Sequence, residues 1–138
     1  MKQFTYVLLM LVTIPFSASA CGVGEKAAEG YENTDVKHAF QHWGQGEDSS
    51  VPFAFIDVRT PGEFAAGHIK GAKLIPLAEL EQRISEIPKD KQVYLYCRTD
   101  QRSAVAAGML AKQGFSNIEN VLGGITNWQQ AGYPVVKQ

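Results

Sequence analysis

Short, almost continuously apolar runs alternate along this chain with segments that carry helical spacing. The clearest apolar runs are residues 53–58 and 92–96. An unbroken run of this kind indicates a strand that is covered on both faces, and strands that alternate with helices indicate a parallel sheet. Residues 72–75 and 118–122 are predicted as two further strands. The sequence therefore predicts an α/β fold.

Helices are predicted between these strands from the recurrence of apolar residues at positions i, i+3, i+4 and i+7. They are 36–43, a short turn opened by Pro61, 77–87 before Pro88, 103–113 ending at Gly114, and 125–130. Asn33 or Thr34 is expected to cap the first helix, because short polar side chains accept hydrogen bonds from the exposed amides of a first turn.

The first twenty residues differ in composition from the rest. Lys2 precedes an apolar run over 4–16, and small residues ending in Ala-Ser-Ala follow. This three-part pattern is typical of a secretory signal peptide, and the run is shorter than the ~20 residues that span a bilayer. We expect a signal peptide at 1–20, a linker at 21–30, and one domain at 31–138.

Cys21 directly follows the expected cleavage region. The segment Ala18-Ser19-Ala20-Cys21 resembles a bacterial lipobox, except that Ala18 replaces the usual larger aliphatic residue. Lipidation of Cys21 would anchor the protein to a membrane, whereas ordinary cleavage after Ala20 would release it. We expect an exported, periplasmic protein that meets a membrane only if Cys21 is lipidated. The net charge of -1 and the absence of a basic run argue against nucleic acid as a partner.

Cys97 follows a predicted strand and precedes a predicted helix, the place where α/β sheets bind ligands. Backbone N–H groups at the helix start, with Arg98 and Arg102, favour thiolate over thiol. A lone Cys after a strand is more often a small core residue. The sequence Arg-x-x-x-Arg-Ser, however, would fill a core poorly. We therefore predict Cys97 as a nucleophile. The anion-binding loop is predicted to comprise Arg98, Thr99, Asp100, Gln101, Arg102 and Ser103.

Three segments resemble the signatures of the rhodanese family. Residues 97–103 resemble its active-site loop, and 56–72 resemble its first signature, D-V-R-x-x-x-E-[FY]-x-x-G-H-I-x-G-A. Residues 121–128 resemble its G-G-[IFLM]-x-x-W ending. The resemblance covers about 31–134. It implies a rhodanese-like fold, with a central five-stranded, mostly parallel sheet flanked by helices on both faces.

The resemblance also implies a sulfurtransferase. Cys97 would take a sulfane sulfur from a donor such as thiosulfate, hold it as a persulfide, and pass it to a thiophilic acceptor. The expected partners are a small-molecule donor and a small-molecule or protein acceptor. We expect no cofactor and no metal; His38 and His42 have metal-binding spacing, but no carboxylate or Cys partner is evident.

Several other polar residues are predicted to have structural roles. Asp57, Arg59 and Glu63 are expected to form ion pairs, with Arg59 meeting Glu63 across a turn. His68 is expected to order its loop by hydrogen bonding rather than to transfer protons. Asp100 stands where the family often has Gly, and its carboxylate would oppose ionisation of Cys97 and repel an anionic donor.

Two other functions compete with sulfur transfer. Cysteine phosphatases also combine a Cys, a ring of amides and an Arg, but their loops hold one residue more between Cys and Arg. The shorter spacing from Cys97 to Arg102 suits a single sulfur atom better than a phosphoryl group. A non-enzymatic sulfur or redox carrier, which docks on a partner and turns over little small substrate, is the other alternative.

Overall fold

The helices and strands of the chain were located in a computed structural model, which describes residues 25–27, 29–46 and 49–138. The predicted signal peptide and Cys21 lie outside the described residues. In chain order the elements are β1 (Glu25–Lys26), β2 (Glu32–Thr34), α1 (Val36–Gln45), β3 (Phe53–Asp57), α2 (Pro61–Ala66), β4 (Lys73–Leu74), a 3-10 helix (Leu77–Glu86), β5 (Gln92–Tyr96), α3 (Gln101–Lys112), β6 (Ile118–Val121) and α4 (Gly124–Gln130).

The strands form one sheet in the order β1-β2-β6-β5-β3-β4. The five strands from β2 to β4 in this order are parallel to their neighbours, whereas β1 pairs antiparallel with β2. The predicted α/β fold with a five-stranded parallel sheet is confirmed. Strand β1 adds a sixth strand from within the segment that was predicted to be a linker.

Alternation along β5 divides the core into two layers. Val93 and Leu95 face α3 and the 3-10 helix, and Cys97 continues this row beyond the strand end. Tyr94 and Tyr96 face the other way, toward α1 and α4, where they pack with Trp128. Helices therefore cover both faces, which explains why the central strands are apolar throughout.

Some predicted boundaries were wrong for local reasons. Asp35, rather than Asn33 or Thr34, caps α1 and accepts a hydrogen bond from the His38 amide at 2.7 Å. Asn33 and Thr34 instead belong to β2, whose polar sequence gave no strand signal. The segment predicted as a helix at 77–87 is a 3-10 helix with a break at Arg83. Among the helices in the described part of the chain, none combines the length and apolar character needed to cross a membrane.

Candidate active site

Cys97 lies at the carboxyl end of the central strand β5, one residue beyond Tyr96. It is 1% exposed and packs with the core layer beneath α3. Its Sγ accepts a hydrogen bond from the Ser103 hydroxyl at 3.5 Å, and that hydroxyl also contacts the Asp100 carbonyl at 3.1 Å. The thiol is thus held at the base of the segment 97–103, which we call the Cys97 loop.

A cavity of about 220 Å³ opens over the Cys97 loop. It is lined by Glu63, Cys97, Arg98, Thr99, Gln101 and Arg102. The structure thus brings together most of the loop residues that the sequence predicted. Asp100 is not among the lining residues, and Ser103 lies buried behind the thiol. The cavity is small and polar, as a site for a compact anion would be.

A larger cavity of about 730 Å³ lies at the opposite end of the sheet. Its lining includes Phe53, at the start of β3, and Lys91, just before β5. None of the predicted site residues lines it. We therefore take the smaller cavity, which is lined by Cys97 and two arginines, as the candidate site.

Glu63 joins helix α2 to the Cys97 loop. Its two carboxylate oxygens each accept a hydrogen bond of 2.8 Å from Arg102, from Nη1 and Nη2 respectively. This pair replaces the Arg59–Glu63 contact that the sequence predicted, which was wrong. Arg102 lies in the first turn of α3, which begins at Gln101, two residues earlier than predicted.

The same carboxylate closes the first turn of α2. Thr60 donates to Glu63 from its amide at 3.1 Å and its hydroxyl at 3.0 Å, while the Glu63 amide donates back to Thr60 Oγ1. The hydrogen bonds from Arg102, assisted by those from Thr60, lower the pKa of Glu63 to about 2 against the opposing effect of burial. Glu63 is therefore ionised at every pH at which the protein is expected to work.

Arg102 carries its charge close to the thiol. Its pKa is raised, mainly by the hydrogen bonds to Glu63 and to a smaller degree by Cys97. The guanidinium thus interacts mainly with a full carboxylate and to a smaller degree with the sulfur of Cys97.

Asp57 and Arg59 form a buried ion pair at the end of β3. Arg59 Nη2 lies 2.6 Å from Asp57 Oδ2, and the two residues are 5% and 0% exposed. Burial opposes the charge on Arg59, but the hydrogen bonds to Asp57 outweigh it and the pKa is raised. Arg59 Nη2 also donates to the Gly67 carbonyl at 2.7 Å, which fixes the chain after α2.

His68 directly follows Gly67, just after the end of α2. Its Nδ1 lies 2.9 Å from the Phe64 carbonyl oxygen, and its ring stacks on Phe64 at a centroid distance of 3.7 Å. His68 also exchanges backbone hydrogen bonds with Val136 near the end of the chain. These contacts are those of a residue that orders its loop, and His68 does not line the cavity over Cys97.

The turn between β6 and α4 holds the Cys97 loop from the other side. The Ile125 amide donates to the Cys97 carbonyl at 2.9 Å, and the Thr126 amide donates to the Arg98 carbonyl at 3.1 Å. The Thr126 hydroxyl donates to the same Arg98 carbonyl at 2.7 Å. Gly124 permits this approach, because a Cβ there would lie closer than 3.0 Å to the carbonyl oxygens of Cys97 and Thr99.

Comparison with known proteins identifies the family. Residues 40–131, more than half of the chain, match the family model of the rhodanese-like domain. The chain belongs to this family. A crystal structure of a rhodanese-related protein from Thermoplasma volcanium superposes with a TM-score of 0.70 at 30% sequence identity, covering 78% of this chain and all of that one.

Two relatives show the range of the family. A sulfurtransferase of Allochromatium vinosum is 43% identical over 81 residues, which cover 59% of this chain and 76% of the relative. The putative sulfur carrier protein YrkF of Bacillus subtilis is 37% identical over 84 residues, which cover 61% of this chain and 45% of the relative. The chain therefore spans less than half the length of YrkF. These similarities support sulfur transfer as the general chemistry of this rhodanese-like domain.

Three features of the site escaped the sequence analysis. The segment Thr60-Pro61-Gly62-Glu63 has the S/T-x-x-E pattern of a capping box, so the Thr60–Glu63 contacts could have been predicted. The salt bridge from Glu63 to Arg102 joins residues 39 positions apart, and no local pattern indicates it. The support that Gly124 and Thr126 give to the Cys97 loop likewise depends on the pairing of β5 with β6.

Proposed function

We propose that this rhodanese-like domain is a sulfurtransferase that carries a sulfane sulfur as a persulfide on Cys97. The observation that carries the proposal is the position of Cys97 at the base of a small cavity that two arginines line. The Ser103 hydroxyl lies 3.5 Å from its sulfur, so a hydrogen-bonding group stands beside the atom that is proposed to attack.

The reaction consists of two sulfur transfers. In the first, the Cys97 thiolate attacks the outer sulfur of a donor such as thiosulfate, the sulfur–sulfur bond of the donor breaks, and sulfite leaves with the electron pair. In the second, a thiophilic acceptor such as cyanide or a thiolate attacks the outer sulfur of the persulfide, and the Cys97 thiolate is regenerated. Neither step requires a cofactor, since no electrons enter or leave.

A transfer assay from thiosulfate to cyanide tests the proposal. We expect the wild-type protein to form thiocyanate and Cys97→Ser to lose this activity, because a serine hydroxyl is not ionised at neutral pH and forms no persulfide. Ser103→Ala serves as a comparison that keeps the nucleophile. Activity that survives in Cys97→Ser would refute the proposal.

A sulfur carrier without turnover is the second candidate, and the similarity to YrkF favours it. Repeated turnover with a small acceptor separates the two. Both predict an increment of one sulfur atom on Cys97 after exposure to a donor, but only a sulfurtransferase then turns over repeatedly with a small acceptor. Phosphatase activity is the third possibility. Hydrolysis of an aryl phosphate that is faster than sulfur transfer would support it.

We propose further that the protein is exported to the periplasm and acts there. The signal-peptide pattern at 1–20, with Cys21 directly after it, supports export. The intact mass of protein isolated from its native cells tests this. A chain that begins at Cys21 supports cleavage, an added diacylglycerol mass shows lipidation, and a chain that retains residues 1–20 refutes the proposal.

A further inference from the structure

The charge of Arg102 is neutralised where it faces the cavity. Both terminal nitrogens of its guanidinium donate to the Glu63 carboxylate, at 2.8 Å each. Thr60 holds that carboxylate from the other side, so Glu63 is fixed between a helix cap and the arginine. Glu63 also lines the cavity itself, beside Cys97. A ligand that enters therefore meets a carboxylate as well as the arginine.

Arg98 is the second cation that lines the cavity. Among the residues that the structure describes, no carboxylate lies within ion-pair distance of it. Two cations and one carboxylate thus line the cavity among the described residues. The proposed Cys97 thiolate adds a second negative charge, so these side chains carry no net positive charge when the thiolate attacks. Asp100, which the sequence suggested as the group that repels anions, does not line the cavity.

We propose that Glu63 is a specificity-determining residue that disfavours doubly charged sulfur donors. The inference rests on the proposed transfer through Cys97 and specifies its substrate class. The preferred donor is a sulfane compound with one negative charge, such as an organic thiosulfonate or an organic persulfide. The Glu63 carboxylate repels each negative charge of a donor, so a dianion experiences about twice the repulsion that a monoanion experiences at the same position.

Two donors of the same chemistry and different charge measure this preference. Thiosulfate is a dianion, and its leaving group is sulfite. Methanethiosulfonate is a monoanion, and its leaving group is methanesulfinate. In both reactions the Cys97 thiolate attacks the outer sulfur, the donor sulfur–sulfur bond breaks, and the leaving group departs with the electron pair. Both donors form the same persulfide on Cys97. When the same acceptor is used, a difference in kcat/KM between the two donors therefore reports the step in which the donor reacts.

The central experiment compares wild type with Glu63→Gln on both donors. We expect the ratio of kcat/KM for thiosulfate to kcat/KM for methanethiosulfonate to rise by between about threefold and tenfold in Glu63→Gln, the effect of one charge removed from a partly solvated cavity. Glu63→Asp keeps the charge and is expected to keep a ratio within about twofold of wild type. The charge-matched control is Asp90→Asn, which removes an exposed carboxylate at the opposite end of β5 and is expected to leave the ratio unchanged.

The outcomes separate this inference from the proposed function. If wild type transfers sulfur from neither donor, or Cys97→Ser transfers it equally well, the proposed function fails. If transfer depends on Cys97 but Glu63→Gln slows both donors equally, Glu63 only positions Arg102 and the inference fails. It also fails if Glu63→Asp shifts the ratio as far as Glu63→Gln does, because the charge is kept in Glu63→Asp. It fails likewise if Asp100→Asn shifts the ratio as far, because the position of the charge would then be immaterial. Thermal unfolding of each variant confirms that the compared proteins are folded.

Discussion

Replacing Gly124 with Ala tests whether the start of α4 positions the Cys97 loop. Gly124 has a φ of +52°, and a Cβ there would lie closer than 3.0 Å to the carbonyl oxygens of Cys97 and Thr99. Both neighbours are backbone atoms, so they cannot rotate away as a flexible side chain would. The variant must displace either the turn or the loop.

The expected loss of stability follows from two contributions. A left-handed conformation costs an L-residue about 1 to 2 kcal/mol. Displacing the loop weakens the hydrogen bonds that the Ile125 and Thr126 amides donate to it, each worth about 1 kcal/mol. We therefore expect Gly124→Ala to lower the free energy of unfolding by about 3 to 4 kcal/mol.

Gly114→Ala is the matched control. Gly114 has a φ of +85°, but nothing lies within 4 Å of the position its Cβ would take. Gly114→Ala has the conformational cost of the left-handed backbone but no steric contact. We therefore expect it to lower the free energy of unfolding by about 1 to 2 kcal/mol. The difference between the two variants in urea unfolding isolates the contact with the Cys97 loop.

Activity provides the second readout for this pair. We expect Gly124→Ala to slow both sulfur transfer and alkylation of Cys97 by iodoacetamide, measured where the variant is fully folded, while Gly114→Ala keeps wild-type rates. The reasoning is refuted if Gly124→Ala is no less stable than Gly114→Ala and reacts at the wild-type rate.

Two further predictions concern the ion pairs. Asp57→Asn and Arg59→Met should each lower the free energy of unfolding by about 3 to 5 kcal/mol, because each leaves a buried charge unpaired. The double variant Asp57→Asn/Arg59→Met should lose less than the sum of the two, and additive losses in urea unfolding would contradict the pairing. Glu63, whose pKa falls from 4.5 to about 2 on folding, should stabilise the protein above pH 4.5 and lose that contribution as the pH falls toward 2. The stability difference between wild type and Glu63→Gln should therefore be about 1 kcal/mol at pH 6, allowing for the partial exposure of the pair. It should narrow as the pH falls below 4.5 and close only below about pH 2, and a difference that is independent of pH would argue against the assigned charge.

The fold could be predicted from the sequence where elements are long and apolar. Strand β5 was predicted with its observed bounds, and β3 to within one residue, because both are buried on two sides. Strand β2 was missed because its pairing with β6, rather than its own composition, makes it a strand. The fifth parallel strand was expected only from the family resemblance.

The same distinction applies to the candidate site: neighbouring residues could be grouped from the sequence, whereas contacts between distant residues could not. The segment 97–103 is contiguous, so the sequence alone grouped the residues that surround Cys97. The sequence could not indicate contacts between residues that are distant in the chain. The prediction that Arg59 meets Glu63 failed because Glu63 makes such a contact, with Arg102. Asp57 lies two residues from Arg59 and its side chain points to the same turn, so it is the nearer carboxylate, which leaves Glu63 to Arg102.

The two outer strands of the sheet, β1 and β4, are each two residues long. A strand at the edge of a sheet exposes backbone groups onto which another chain can add, and a ladder this short offers few of them. The apolar strands β3 and β5, which would aggregate readily if exposed, lie inside the sheet between these short borders. In the part of the chain that the structure describes, these short borders leave little backbone at which a second copy could add a strand.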